Sequence, residues 1–143
     1  MDDRKLLAAA VALADDCPPS MTAFSVGAII AAPDGTVLAT GHSRQYSPLD
    51  HAEEAALAHV EADLTGATIY SSLEPCGRRA SRPHTCAELI LASPIRRVVF
   101  AMREPDTFVA ATGADLLRAA GCEVVELPDL AAGVRRTNVH LLG

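Results

Sequence analysis

The sequence predicts an α/β fold: a three-layer α/β/α sandwich on a five-strand mixed sheet, with residues 1–143 forming a single domain. Three observations lead there. The chain opens on apolar residues at helical spacing. A continuous apolar run, a Pro-Asp-Gly turn and a second run then predict a β-hairpin. After the hairpin, strand-like and helix-like segments alternate, the order that gives parallel strands, right-handed crossovers and helices on both faces.

Leu6, Leu7, Ala10, Val11, Leu13 and Ala14 place an amphipathic helix over 3–16, stopped by Cys17-Pro18-Pro19. The run 24–32, with Val26, Ile29 and Ile30, reads as a buried strand. Pro33-Asp34-Gly35 turns it into a second strand over 36–41. A loop over 42–50 leads to a helix over 51–62, for which Asp50 is the expected N-cap, and Gly66 follows it as a breaker. Residues 67–72 form the third strand. The Arg-rich stretch after Pro75-Cys76-Gly77 is a loop, and 83–92 a helix with Pro83 in its first turn. A fourth strand over 96–102 contains Val98, Val99 and Phe100. A helix over 113–120 ends at Gly121, 122–127 is the fifth strand, and 129–142 is a closing helix.

Apolar residues make up 50% and charged residues 21% of the chain, the balance of a globular protein. The net charge is −6, with no basic stripe, which argues against a nucleic-acid polymer as partner. No apolar run approaches the roughly 18 residues of a membrane span. The first helix carries Asp2, Asp3, Asp15 and Asp16, unlike a secretory signal, so the cytoplasm is the default location. Of the local basic clusters, Arg78, Arg79 and Arg82 sit between two cysteines, where positive charge suits an anionic substrate. Arg96-Arg97 and Arg135-Arg136 read as solvated faces or helix ends.

Two segments carry the chemistry: His51-Ala52-Glu53, and Pro75-Cys76 followed by Cys86. One imidazole and two thiolates are a three-ligand zinc set with a fourth position open, and Glu53 beside them is a general acid/base. On this reading His51 and Cys86 sit in the first turns of two helices, whose positive ends favour thiolate over thiol. Ideal helical geometry sets His51 and Glu53 about 200° apart, so both reach one site only if the helix end points into it. Glu54 is expected to be a surface charge. A lone His-x-Glu means little, and two buried structural cysteines are unremarkable; Cys17 and Cys122 are read that way. The conjunction favours the metal. His59 is too far along its helix to join, His84 faces solvent near the pocket mouth, and His140 is structural or exposed.

These residues resemble the cytidine-deaminase-like superfamily of zinc hydrolases, and more closely the pyrimidine deaminase domain of riboflavin biosynthesis. The similarity runs through Val26-Gly27-Ala28, Gly41-x-Ser43, His51-Ala52-Glu53 and Gly66-Ala67-Thr68-Ile69-Tyr70. It continues in Leu73-Glu74-Pro75-Cys76, Cys86-Ala87-Glu88-Leu89-Ile90, Arg96-Arg97-Val98-Val99 and the segment 101–113. General nucleobase deaminases have Pro-Cys-x-x-Cys; nine residues separate the cysteines here, similar to the long basic insertion of the riboflavin-type domain.

The resemblance implies hydrolytic removal of an amine from a phosphoribosylaminopyrimidine. It implies Zn²⁺ on His51, Cys76 and Cys86, Glu53 as proton shuttle, and a homo-oligomer, dimer or tetramer. It puts Arg82 near a substrate phosphate and His42 on the pocket wall, against bland readings as a solvated loop cation and a surface imidazole. Phe24 stacks on the base or fills core. The chain departs from the family in having Ala23-Phe24-Ser25 where an Asn-Pro is common, and in the chemistry of 77–85. No reductase domain is recognisable in these residues. A second reading is therefore deamination of another base, such as a cytosine nucleoside or dCMP. A third is a catalytically silent, zinc-stabilised partner module, against which the intact Glu53 argues.

Overall fold

The computed structural model describes residues 2–77, 79, 82–104 and 112–142. Most of the segment 101–113 and the basic residue Arg78 therefore lie outside the described residues.

Helix α1 (Asp3–Leu13) starts where the Asp2 carboxylate accepts the Lys5 N–H at 3.2 Å. It buries Leu7 and Ala10 and tightens into a 3₁₀ turn over Ala14–Asp16. Strands β1 (Gly27–Ala31) and β2 (Val37–His42) form the hairpin. Gly35 takes the positive φ (90°) of the turn between them. Then follow α2 (Ala52–Ala58), β3 (Thr68–Leu73), α3 (Cys86–Ala92), β4 (Arg97–Met102), α4 (Gly113–Ala119) and β5 (Glu123–Glu126). Two short helices, α5 (Ala131–Thr137) and α6 (Val139–Leu142), close the described chain.

The sheet order is β2-β1-β3-β4-β5. β1 runs antiparallel to β2 and β3, while β3, β4 and β5 are parallel, which is the mixed five-strand sheet the alternation predicts. Two glycines show how the layers close on it. A Cβ on Gly27 would stand 2.0 Å from the Ala10 carbonyl, so α1 lies directly on β1. A Cβ on Gly41 would stand 2.4 Å from the Ala52 carbonyl, so α2 lies directly on β2. Gly41 pairs with Ala28, the neighbour of Gly27, so the two glycines look out of opposite faces. One layer is α1 with α5; the other holds α2, α3 and α4. Ile69, Tyr70, Val98, Val99 and Phe100 are fully buried between them.

Several boundaries differ from the sequence expectation, each for a reason visible in the hydrogen bonds. His51, not Asp50, is the N-cap of α2, and the helix ends at Ala58. Asp50 instead closes the loop before it, its Oδ2 accepting the N–H groups of Tyr46 and Ser47 at 2.9 Å each. Pro83 precedes α3, which is capped by Thr85 in a reciprocal box with Glu88 (3.1 and 3.0 Å). β1 begins at Gly27 because the Ser25 main chain is claimed by the buried Asn138 side chain, at 2.6 Å from its N–H and 3.0 Å from its carbonyl. The same Asn138 divides the closing helix into α5 and α6. Arg97 is no solvated cation: it holds Asp3 through two bonds of 2.8 and 2.7 Å and also meets Glu123, fastening the start of α1 to the sheet.

Candidate metal centre

The carboxyl end of β3 and the starts of α2 and α3 meet at one point, the end of a parallel sheet where sites are usually built. β3 delivers Cys76 three residues past Leu73, and Cys86 is the first residue of α3. His51 Nδ1 lies 3.3 Å from Cys86 Sγ and 3.5 Å from Cys76 Sγ. The Cys86 N–H donates to Cys76 Sγ at 3.2 Å, and the Ala87 N–H to the Cys76 carbonyl at 3.1 Å. Among the described residues, His51, Cys76 and Cys86 form a cluster able to ligate a metal, their donor atoms all within 4.8 Å of one another.

Burial and mutual hydrogen bonding shift the titration of all three groups. Hydrogen bonding from Cys86, reinforced by His51, holds the Cys76 thiol far below its ordinary range against the opposing effect of burial. The bond to Cys76 and its own burial push the Cys86 thiol up. His51 is pulled down by burial, but its bond to Cys76 and the nearby Glu53 carboxylate outweigh that and raise it. A buried thiolate between an imidazole and a second sulfur is the donor set zinc prefers, and these residues fit it.

Glu53 is 3% exposed and shares the cavity with His51 and Cys76. The angular objection to this pairing disappears in the backbone. His51 is extended (φ −89°, ψ 157°), outside the helix, so the rotation of about 100° per helical residue does not separate it from Glu53. Burial is the main force that lifts the Glu53 carboxyl to about 7, with His51 opposing and Cys76 adding to it.

The cavity has a volume of about 550 Å³ and is also lined by Phe24, Arg44 and Glu104. Phe24, predicted to touch substrate or fill core, lies half-buried on its wall and packs on the core as well. Neither His42 nor Arg82 is among the lining residues. His42 ends β2, with its Nδ1 3.1 Å from the Ser43 carbonyl. Arg82 sits 2.9 Å from Glu54 and 3.2 Å from Asp50. Glu54, expected to be a surface charge, is 17% exposed and bonded to both Arg79 and Arg82. His59 stands edge-on to Tyr46, His84 is exposed beside Glu88, and His140 reaches the Ser20 carbonyl, all away from the cluster.

Three site residues escaped the sequence reading. Glu74 is buried, its two oxygens accepting the N–H groups of Glu104 (3.0 Å) and Ala114 (2.9 Å), which ties the approach to Cys76 to β4 and α4. Glu104 follows β4 into the cavity; burial, then the charges of Cys76 and Glu74, raise its carboxyl to about 7. Its place at the end of a parallel strand beside β3 was the available signal. Arg44 takes a positive φ of 58° and donates to the Pro18 carbonyl (3.1 and 2.8 Å), the Phe24 carbonyl (3.1 Å) and Ser25 Oγ (2.7 Å). Among the described residues no carboxylate pairs with it, and no sequence spacing announced it.

Known proteins resemble this chain over most of its length. Over 118 residues the chain is 41% identical to the diaminohydroxyphosphoribosylamino-pyrimidine deaminase of Schizosaccharomyces pombe, covering 79% of this chain and 29% of that protein. The chain thus spans under a third of the length of that relative. A crystal structure from Thermotoga maritima, described as a diaminohydroxyphosphoribosylaminopyrimidine deaminase/5-amino-6-(5-phosphoribosylamino)uracil reductase, superposes with a TM-score of 0.82 at 31% identity, over 94% of this chain and 38% of the other. The dCMP deaminase of cyanophage S-TIM5 shares the fold at 20% identity and a TM-score of 0.66, over 87% of this chain and 95% of that one. Residues 1–102, which contain all three donors and Glu53, match the pattern of the cytidine and deoxycytidylate deaminase zinc-binding region, and the chain belongs to that family.

Proposed function

We propose that this chain is a zinc-dependent aminohydrolase that deaminates a pyrimidine, with a phosphoribosylaminopyrimidine of the riboflavin-pathway type as substrate. The observation that carries the reading is Glu53, buried in one cavity with His51 and Cys76. The likeness to the riboflavin-type deaminases of yeast and Thermotoga supports the choice of substrate.

His51, Cys76 and Cys86 would hold the zinc, which would supply the Lewis acidity that makes water nucleophilic at neutral pH. Glu53 takes the proton that water gives up as it adds to the ring carbon bearing the amine. It delivers that proton to the ring nitrogen and then carries the added hydroxyl's proton to the departing amine, so the C–N bond breaks, a carbonyl takes its place and ammonia leaves. Phe24 offers an apolar face to the ring. Arg44 brings a positive charge that no described carboxylate neutralises, which suits the phosphate end. No helix among the described residues is long and apolar enough to cross a membrane. Ligand thiols need a reducing compartment, which favours the cytoplasm. We read residues 1–143 as one deaminase domain, assembling as a homo-oligomer.

The test is an ammonia-release screen of the zinc-loaded protein against cytosine, cytidine, dCMP, guanine and the riboflavin-pathway diaminopyrimidine phosphoribosyl compound. Turnover confined to the last supports the proposal. Turnover of dCMP or cytidine instead moves the substrate to the cytosine series, and release from none of them overturns the reading.

A further inference from the structure

His51 and the two cysteines come from segments separated in sequence, and three donors grip one ion only if both segments are held together. Glu54 joins them. Its Oε1 accepts the His51 N–H at 3.2 Å and Arg79 Nη2 at 2.9 Å; its Oε2 lies 2.9 Å from Arg82 Nη1. Both arginines belong to the loop between Cys76 and Cys86. Arg82 extends the cluster to Asp50 Oδ1 (3.2 Å) and Ser47 Oγ (3.1 Å), and Arg79 to the Leu49 carbonyl (2.6 Å). A capping box needs one oxygen of Glu54 on the N-cap N–H. Here the same carboxylate also holds the loop that carries the other two donors. The cluster is well shielded, with the Arg79 side chain 2% and that of Glu54 17% exposed, so its charge-assisted bonds are stronger than those of a surface pair.

We propose that Glu54 is a positioning residue of the metal centre: it clamps the inter-cysteine loop onto the segment bearing His51 and thereby sets how tightly the three donors hold zinc. The pairing also accounts for Arg79 and Arg82 standing outside the cavity lining. Arg82 then serves the donors and not the substrate phosphate. This inference rests on the reading of His51, Cys76 and Cys86 as a zinc site, and is independent of which pyrimidine is deaminated.

The experiment measures zinc affinity by competition with a chromogenic chelator in wild type, Glu54→Gln, Arg82→Met, Arg82→Lys and the Glu54→Gln/Arg82→Met double variant. Gln keeps the shape and one acceptor but removes the charge. Loss of such an outer contact is expected to weaken zinc binding about tenfold or more. The double variant should lose little beyond the worse single one, since both changes break one cluster, and Arg82→Lys should recover much of the loss. Thermal unfolding of the zinc-stripped proteins separates a weaker grip from a weaker fold. If Glu54→Gln does not fold, Arg82→Met, at the more open end of the cluster, decides. Zinc affinities within twofold of wild type overturn the proposal, and so do fully additive losses in the double variant. An Arg82→Met protein that keeps its zinc but shows a raised KM assigns Arg82 to substrate and overturns it as well. Failure of ammonia release with zinc affinities behaving as described sinks the proposed reaction and leaves Glu54's role standing.

Discussion

The Cys86 N–H points at the Cys76 sulfur from 3.2 Å, so the residue that opens α3 also stabilises a thiolate at Cys76. Both thiols are buried, and this N–H, the Cys86 thiol and His51 stabilise a negative sulfur at Cys76. Cys76→Ser removes that sulfur and should abolish stoichiometric zinc, from about one ion per chain to a small fraction of it. Metal analysis of the purified variant checks this. In wild type, zinc should shield Cys76 and Cys86 from alkylation. Mass spectrometry before and after chelation should show these two thiols becoming reactive; equal labelling in both states would count against a cysteine-ligated metal.

In the proposed reaction Glu53 moves protons and does not hold the ion. Glu53→Gln should therefore keep zinc and the fold while kcat for ammonia release drops by roughly 10² to 10⁴. Metal content and rate must be measured on the same sample. Loss of zinc in parallel with rate would reassign Glu53 to the ligand set.

How much of this was legible in the sequence varies with the range of the interactions. The sheet, its hairpin and the candidate donors His51, Cys76 and Cys86 follow from local signals: apolar runs, the Pro-Asp-Gly turn, and ligand-type residues at fixed spacing. What stayed hidden depends on contacts across long separations. Asn138 reaches back 113 residues to Ser25 and so delays β1 and splits the last helix. Glu74 reads as an ordinary polar residue until its carboxylate is seen to meet the N–H groups of residues 104 and 114. Glu54 looked solvent-facing by helical phase because its arginine partners lie 25 and 28 residues further on, in a loop with no periodicity to place it.

Glu74 provides a test of that hidden part. Both its oxygens accept buried N–H groups, and Gln at this position would turn an amide donor toward one of them. Glu74→Gln should lower stability by about 1 to 3 kcal/mol. Because Pro75 follows Glu74 and is packed against Gly113, where even a Cβ would come within 1.7 Å of the Pro75 carbonyl, zinc affinity should fall too. Urea unfolding of the zinc-free and zinc-loaded forms measures both effects, and unchanged midpoints in each would rule out the clamp.

A pH effect follows from Asp3. Its bonds with Arg97, helped by Tyr70, lower the carboxyl to about 2 from an ordinary value of 3.8, against some opposition from burial. The folded state thus binds this proton less readily than the unfolded one. The stability it contributes is full above about pH 4 and is lost as pH falls through about 2. Asp3→Asn should cost roughly 1 to 2 kcal/mol at pH 7, with screening at this partly exposed pair reducing the figure. The difference between wild type and variant should shrink toward pH 2. Denaturant melts at pH 7, 4 and 2.5 check it; a gap that stays constant across them would deny the linkage.

Arg44 and Arg82 should separate cleanly in kinetics. Arg44 lines the cavity and, among the described residues, hydrogen-bonds neutral acceptors, whereas Arg82 is matched to Asp50 and Glu54. If Arg44 meets the substrate phosphate in both ground and transition states, Arg44→Met should raise KM for the phosphorylated compound by about tenfold or more, with kcat little changed. The dephosphorylated analogue should be nearly indifferent to the same change. Steady-state ammonia release with the two compounds, at matched zinc content, tests this directly. An equal loss on both would mean that Arg44 serves the 18–25 segment it bonds to, and that the phosphate is read elsewhere.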